Sequence, residues 1–432
     1  MHLIPKIKNI WKDINHPCIV YENKEIYFDE IFNSFTIDTS SIQSGDVVVL
    51  IGDFNPLSIY ILIKLIDIGS IVVPLTNQNE EQHAYFFEVT EPDYIFKNGV
   101  LKKLHRNSRA RNNLISHLKE KSKPGLILFT SGTSGSPKAI LHDLSSFLAK
   151  FDTPRPPLRS ISFLLFDHIG GINTLFHILF NTGVVIVPKK RDVESIIKLC
   201  DDYEVEALPT TPTFLRMLLM SGLITKKFPK SLKLITYGTE LMDQFTLDEL
   251  CQQLPNVDFR QTYGMSEIGI LRVKSKNRNS LFMKIGGEGI NTKVVDNVLF
   301  IKSKSSMLGY LNAESPFDSD GWYNTNDIVE TDNEFIKVIG RTNELINVGG
   351  LKFMASEVES IALEFPNIRF AKVFVRKNPI TGQHIELFIE PNHEKFREEP
   401  LKEFLDKKLQ THMTPKRITI GKIQINHRYK KI

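Results

Sequence analysis

The sequence predicts an α/β protein, and three observations carry that prediction. Short apolar runs alternate with helix-spaced segments from residue 44 to about residue 270. Strand–helix–strand units of this length build parallel sheet. From about residue 283 short strands joined by tight turns follow, the pattern of antiparallel β or a small barrel. After Gly340-Arg341 a distinct segment mixes helix and strand. A boundary is expected at 340–343, giving domains 1–340 and 341–432. A chain of 432 residues agrees with more than one domain.

Taken in order, residues 18–34 alternate around Glu22-Asn23-Lys24, which predicts a hairpin, with a helix start over Phe28–Phe35. Ser44–Gly52 reads as a buried strand, Pro56–Gly69 as a helix closed by a glycine cap, and Ser70–Leu75 as the next strand. Lys102–Lys123 is polar and basic, a surface excursion. Leu126–Phe129 is a short buried strand, and a helix is expected over His142–Phe151. Ile161–Phe166 reads as a strand. Asp167-His168-Ile169-Gly170-Gly171 then opens an apolar helix through Phe180. Val184–Pro188, Ala207–Pro209 and Lys233–Tyr237 are further strands. In the last segment, helices are expected at Ser356–Phe365 and Glu399–Leu409, and strands at Ile368–Val375 and Ile385–Glu390.

Composition narrows the function. Hydrophobic content of 41% and charged content of 24% are ordinary for a soluble enzyme. The net charge of +4 is spread along the chain, with small clusters at Lys102–Arg111 and Arg428–Lys431. A nucleic-acid binder concentrates its charge on one face, so no nucleic-acid partner is expected. Cys18, Cys200 and Cys251 are far apart and fit neither a disulfide framework nor a zinc site. No secretory leader is read at the N-terminus, and no apolar run is long enough to span a bilayer. A cytoplasmic protein is expected.

The chemistry starts at Thr130-Ser131-Gly132-Thr133-Ser134-Gly135-Ser136-Pro137-Lys138. Glycines admit close backbone approach, and hydroxyls with backbone N–H groups suit an oligophosphate. The spacing is not that of the P-loop, because Pro137 separates Ser136 from Lys138 and Ala139 follows. Four further stretches matter. Tyr263-Gly264-Met265-Ser266-Glu267, after Gln261-Thr262, puts an aromatic face, a glycine and a carboxylate within one turn. Such a face can stack on a base and such a carboxylate can hold Mg²⁺. Gly321–Asp327 places an acid where it could accept two ribose hydroxyls. Gly340-Arg341 puts a cation at the domain junction, and Ile346–Lys352 contains a second glycine turn.

Together and in this order, these stretches resemble the adenylate-forming (AMP-binding) superfamily of acyl- and aryl-CoA synthetases, luciferases and adenylation domains. Thr130–Lys138 resembles its T-S-G-T-[ST]-G-x-P-K loop and Tyr263–Glu267 its Y-G-x-[ST]-E motif, both complete. Gly321–Asp327 resembles G-W-[FY]-x-T-G-D with Asn326 for the glycine. Gly340–Gly350 resembles the hinge motif, with Asn343 at the hinge position. Gly45–Leu75 resembles an early family segment, so the likeness covers nearly the whole chain.

The resemblance implies a large N-terminal domain of two α/β subdomains plus a distorted β-barrel, and a small mobile α+β C-terminal domain. It implies activation of a carboxylic acid by ATP to an acyl-adenylate, then transfer to the thiol of CoA or of a carrier protein's phosphopantetheine. Thr130, Ser131, Gly132, Thr133, Ser134, Gly135 and Lys138 would hold the phosphates, and Glu267 the Mg²⁺. Tyr263 would stack on adenine, with Gly238, Thr239, Glu240 and Thr262 around it. Asp327 would take the ribose hydroxyls and Arg341 the ribose or phosphate. Lys431 is assigned as the adenylating lysine, in a terminal motif with Asn426 for the family proline and Lys430 for its glycine. The acid pocket is expected at Asp167, His168, Gly170 and Gly264, with His168 as a gate or catalyst. Gly349, Gly350 and Lys352 would meet the thiol substrate. Two alternatives stay open: an amino-acid or acyl activator that loads a carrier protein, with Asp167 pairing with a substrate ammonium, and a non-catalytic nucleotide-binding member.

Overall fold

Three seven-stranded sheets make up the first 341 residues in a computed structural model that describes residues 2–105, 111–130, 136–393 and 396–431. The first sheet centres on the parallel strands Gly125–Phe129, Ile71–Leu75, Val47–Ile51 and Tyr94–Lys97. Its first three strands are buried at every position. Continuous apolar runs do this when both faces of a parallel sheet are covered. Helix Pro56–Ile68 covers one face. Asn55 caps its start by accepting from the Ser58 N–H, and Gly69 ends it at φ +90°.

The second sheet runs Asp258–Gln261, Leu234–Tyr237, Ala207–Thr210, Arg159–Ile161, Val184–Ile186, Ile19–Tyr21 and Lys24–Ile26. The expected N-terminal hairpin therefore belongs to this sheet, with Ile19 and Val20 pairing in parallel with Val185 and Ile186. Local pattern predicts a hairpin but cannot say which sheet takes it. Helix Ile169–Phe180 lies in the core shared by both sheets, with Phe176 and Leu179 among Leu50, Val72, Leu126 and Val185. Two helix and strand expectations shift. The strand read at Ile161–Phe166 is Arg159–Ile161, paired in parallel with Val184–Ile186. The helix read at His142–Phe151 is a strand, Ala139–Asp143, followed by helix Leu144–Ala149. The strand pairs antiparallel with Gly125–Phe129, and Asp143 starts the helix by accepting from Ser145 and Ser146 N–H.

The barrel region is a seven-stranded antiparallel sheet. It begins at Tyr263–Met265, earlier than the sequence texture suggested, and includes Tyr323–Asp332 and Phe335–Arg341. Beyond Arg341 come the hairpin Leu345–Val348/Leu351–Met354, helices Ala355–Glu364 and Glu398–Lys408, and a sheet of Ile368–Asn378, Gly382–Pro391 and Arg417–Ile420. These elements have a hydrophobic core of their own, drawn from residues 346–418. No helix among the described residues is long and apolar enough to cross a membrane.

One buried cation joins this core to the rest. Arg216, on helix Pro212–Met220, is 4% exposed. Its guanidinium donates to the carbonyls of Leu363, Ile368 and Arg369 and to Thr246 Oγ1, at 2.7–3.3 Å. Leu363 lies in the last turn of helix Ala355–Glu364, where a cation meets the negative end of the helix dipole. Arg216→Met should leave these carbonyls unpaired and loosen the junction. Hydrogen–deuterium exchange should then quicken over residues 362–373 while residues 47–51 keep their protection. Unchanged protection at 362–373 would mean that Arg216 does not hold the junction.

Candidate functional site

Where the three sheets converge there is a cavity of about 510 Å³. Each wall comes from an element whose local sequence fixes its direction. Thr130 stands at the mouth, where strand Gly125–Phe129 ends. Its N–H donates to the Lys138 carbonyl and its Oγ1 accepts from the Lys138 N–H, both at 3.0 Å. These bonds continue the antiparallel pairing of strands Gly125–Phe129 and Ala139–Asp143 by one step. Ser131, Gly132, Thr133, Ser134 and Gly135 lie outside the described residues. Lys138 is exposed, and its ammonium sits 4.9 Å from the Tyr310 ring centre. Tyr310 in turn donates to Glu267 Oε1 at 2.8 Å. Glu267 lines the cavity, so Lys138 and this carboxylate meet around one tyrosine. His142 supports the same loop, with Nε2 donating to the Ser266 carbonyl at 2.6 Å. Neither Tyr310 nor His142 stood in a motif, so the sequence reading missed both.

Thr262 and Gly264 face the cavity. Extended chain alternates its side chains, and the residue between them, Tyr263, turns to the opposite side. It packs in the core of the third sheet, and its hydroxyl donates to Asp327 Oδ2 at 2.6 Å. The expected adenine-stacking face is therefore a core tyrosine here. Asp327 is buried as well, with Arg341 Nε 3.2 Å from Oδ1. Burial pushes its carboxyl up, against the hydrogen bond from Tyr263 and the charge of Arg341. Arg341 reaches the cavity lining, while Asp327 stands behind it. Gly238 and Thr239 line the same wall. A Cβ at Gly238 would come within 2.2 Å of Thr262 Oγ1, so only glycine fits. Thr239 holds φ +70°, a left-handed conformation costly for a β-branched residue. Glu240 points away, toward the Thr213 N–H and the Lys431 N–H.

His168 and Gly170 line the cavity at the start of helix Ile169–Phe180. His168 caps that helix, with Nδ1 accepting from the Gly170 N–H at 3.0 Å, so the neutral ring carries its hydrogen on Nε2. Burial first, then Arg428 and Lys430, keep it neutral, below the usual histidine range. Asp167 is a correction. It is 5% exposed and turned away from the cavity, accepting from Asn79 Nδ2 at 2.9 Å and standing 3.4 Å from Arg428 Nη2. Its cation is thus supplied by the chain itself, from residue 428.

That contact fixes the C-terminal tail. Asn426 Oδ1 accepts from the N–H groups of Arg428 and Lys430, forming a tight turn, and the Tyr429 ring packs on Phe163 and Phe214. The turn sends Arg428 and Lys430 to the cavity, and Lys430 Nζ donates to the Thr239 carbonyl at 2.9 Å. Lys431 goes the other way. Its ammonium binds Glu359 Oε2 at 2.9 Å and the Ala371 carbonyl at 3.0 Å, within the C-terminal core. The lysine assigned from the sequence is therefore not at the cavity; its neighbour Lys430 is. Gly349 and Gly350 form the left-handed turn (φ +61° and +89°) of an exposed hairpin, with Lys352 beside them, and none of the three lines the cavity. Asn343 is exposed in the turn Thr342–Glu344.

His142, 1% exposed, has its pKa held down to about 4 by burial. An unfolded histidine takes its proton near 6.5. The unfolded state therefore binds the extra proton as pH falls from 6.5 toward 4, and this residue's contribution to stability is lost across that window. A one-unit shift corresponds to about 1.4 kcal/mol. Urea unfolding of wild type and His142→Gln at pH 7, 6 and 5 should show the wild type losing stability faster by about 1 kcal/mol per unit. Parallel losses would place the proton elsewhere.

A family profile described as AMP-binding enzyme matches residues 37–311, more than half of the chain. A nicotinic acid–CoA ligase from Penicillium canescens is 25% identical over 268 residues, covering 57% of this chain and 49% of that protein. A human mitochondrial acyl-coenzyme A synthetase is 27% identical over 323 residues, covering 66% and 54%. This chain thus spans about half the length of the curated relatives it matches. The Bacillus subtilis o-succinylbenzoate CoA synthetase, solved with its acyl-adenylate intermediate, has the same fold: TM-score 0.77, 17% identity, 99% of this chain and 96% of that one. By its sequence match, its fold and the cavity at the meeting point of its motifs, the chain belongs to the AMP-binding enzyme family.

Proposed function

We propose that the chain is an AMP-forming acid–thiol ligase. A substrate carboxylate oxygen bonds to the α-phosphorus of ATP as the bond to the β-phosphate breaks, and pyrophosphate leaves. A thiol sulfur then bonds to the acyl carbon as AMP leaves, its proton passing to solvent. The observation that carries the reading is the convergence on one cavity of Thr130, Glu267, Arg341 and Lys430. The relatives' names as CoA ligases and CoA synthetases support it.

The segment 130–138 would hold the β- and γ-phosphates, with Lys138 adding charge. Gly238, Thr239 and Thr262 would flank the adenine. Arg341 would meet the ribose or α-phosphate, with Asp327 accepting ribose hydroxyls once Arg341 turns to the nucleotide. Lys430 would offset the charge that grows on the α-phosphate oxygens. Mg²⁺ commonly uses one or two carboxylates, the rest of its shell being phosphate and water. Glu267 fits that demand, because Tyr310 takes only one of its oxygens. Bound there, the ion would neutralise phosphate charge. Among the described residues there is no cluster of three metal-ligating side chains that could form an all-protein cage. Residues after Arg341, with their own core, would form a mobile domain hinged near Asn343 and carry the turn at Gly349, Gly350 and Lys352 to the thiol. The acceptor would be CoA, as in the named relatives. The buried free thiols of Cys18, Cys200 and Cys251 fit a reducing compartment.

Acid-dependent ATP–pyrophosphate exchange tests the first half-reaction. Lys430→Ala should lower exchange by roughly 100-fold, the scale of one lost transition-state donor, and spare thioester formation from preformed acyl-adenylate. Lys431→Ala should do far less. The reverse order would return the role to Lys431. Glu267→Ala should suppress exchange with near-UV dichroism unchanged, and normal exchange in that variant would remove Glu267 from the metal role.

A further inference from the structure

Half of the cavity has no nucleotide motif in it. Its floor is helix Ile169–Phe180, whose residues Gly170, Asn173 and His177 recur at helical spacing on one face, continued by Asn181 just past the helix end. The other faces of this helix are buried in apolar core. Polar side chains on a surface helix normally reach solvent; here Asn173 and His177 line the cavity, while the Asn181 amide accepts from the Arg155 N–H and donates to the His177 carbonyl. The opposite wall is the second sheet, where Ser160, Thr210 and Thr236 add three hydroxyls. Thr210 is 2% exposed and its Oγ1 has no hydrogen-bond partner. A buried hydroxyl left in that state is unfavourable, and a ligand acceptor that reached it would relieve it.

The charge at this end is one-sided. Asn181 Nδ2 lies 3.5 Å from His177 Nδ1, so His177 Nε2 is left as the donor. Lys150 stands behind this wall, 3.4 Å from the carbonyl of Ile270, which lines the cavity. Its ammonium rests over the rings of Phe147 and Phe151 and makes no ion pair among the described residues. Among the described lining residues Glu267 is the single carboxylate, and it belongs to the nucleotide end. Donors without an opposing acid suit an anion; burial holds Lys150 down to about 7, so it is only partly charged near neutral pH, and an anion bound nearby would favour its charged form. The donors give an ammonium nothing to pair with, and bare hydrocarbon would leave them unpaired.

Resting on the acid-activating reading above, we infer that the distal half of the cavity receives a second carboxylate, so that the substrate is a short dicarboxylic acid. His177, Asn173 and Thr210 are its specificity-determining contacts. Gly170 to His177 spans about 10 Å of helix. With a contact distance of about 3 Å taken off each end, about 4–5 Å is left, which fits a dicarboxylic chain of about glutarate length, one methylene short of adipate.

The test is exchange with the full chain and matched acids: glutarate, pentanoate and 5-aminopentanoate, with succinate through suberate to bracket length. Glutarate or a neighbour in length should exceed its matched monoacid in kcat/KM by about tenfold or more, a difference of about 1.4 kcal/mol, and the amino acid should be poorest. His177→Leu and Thr210→Val should narrow that ratio mainly through KM, and His177→Gln should retain more of it. Monoacids equal to or better than diacids at every length would overturn the inference. If no acid supports exchange, the ligase reading fails on its own. The unfolding midpoint with 10 mM-scale glutarate against pentanoate then decides the cavity: a larger rise with glutarate upholds the inference, and equal rises overturn it.

Discussion

The pairing of Arg428 with Asp167 sets the arrangement around the cavity. A carboxylate taken out of water costs several kcal/mol unless it is compensated. Asp167 has one oxygen on Asn79 and the same oxygen near Arg428, while its other oxygen has no partner. With so little spare compensation, the cation from the tail is hard to give up. Seating Arg428 seats the Asn426 turn, and the turn decides which of two adjacent lysines enters the cavity. The same contact occupies the aspartate that an amino-acid substrate would need, which argues for an acid without an amine.

Much of the α/β organisation was legible because it rests on local patterns. Val47–Ile51, Ile71–Leu75 and Gly125–Phe129 read as unbroken apolar runs, and caps such as Asn55 and Gly69 marked their helix. What stayed hidden depended on partners distant in sequence. The hairpin at Ile19 joins the second sheet through residue 185, and Ala139–Asp143 is a strand because it folds back on Gly125–Phe129.

The site shows the same division. Motif spacing brought out Thr130, Thr262, Gly238, Glu267 and Arg341, all of which line the cavity. It could not give side-chain direction. Tyr263 and Asp327 sit in the right stretch but face each other, and Lys431 is one residue out of phase with a turn that only Asn426 reveals. Tyr310 and His142 reach Glu267 and its loop from other elements, so no linear pattern contains them. The polar face of helix Ile169–Phe180 was written in the sequence, but it would ordinarily be read as a solvent face.

The separate core of residues 346–418 has a spectroscopic corollary. The chain has two tryptophans, Trp11 and Trp322, and neither lies in that core. Trp11 stacks on Phe28 and donates its indole N–H to the Leu179 carbonyl, on the helix that floors the cavity. Trp322 sits under the Lys293 ammonium at the third sheet. Intrinsic emission thus reports on the cavity floor and the third sheet, and melting confined to the C-terminal core would pass almost unseen in it.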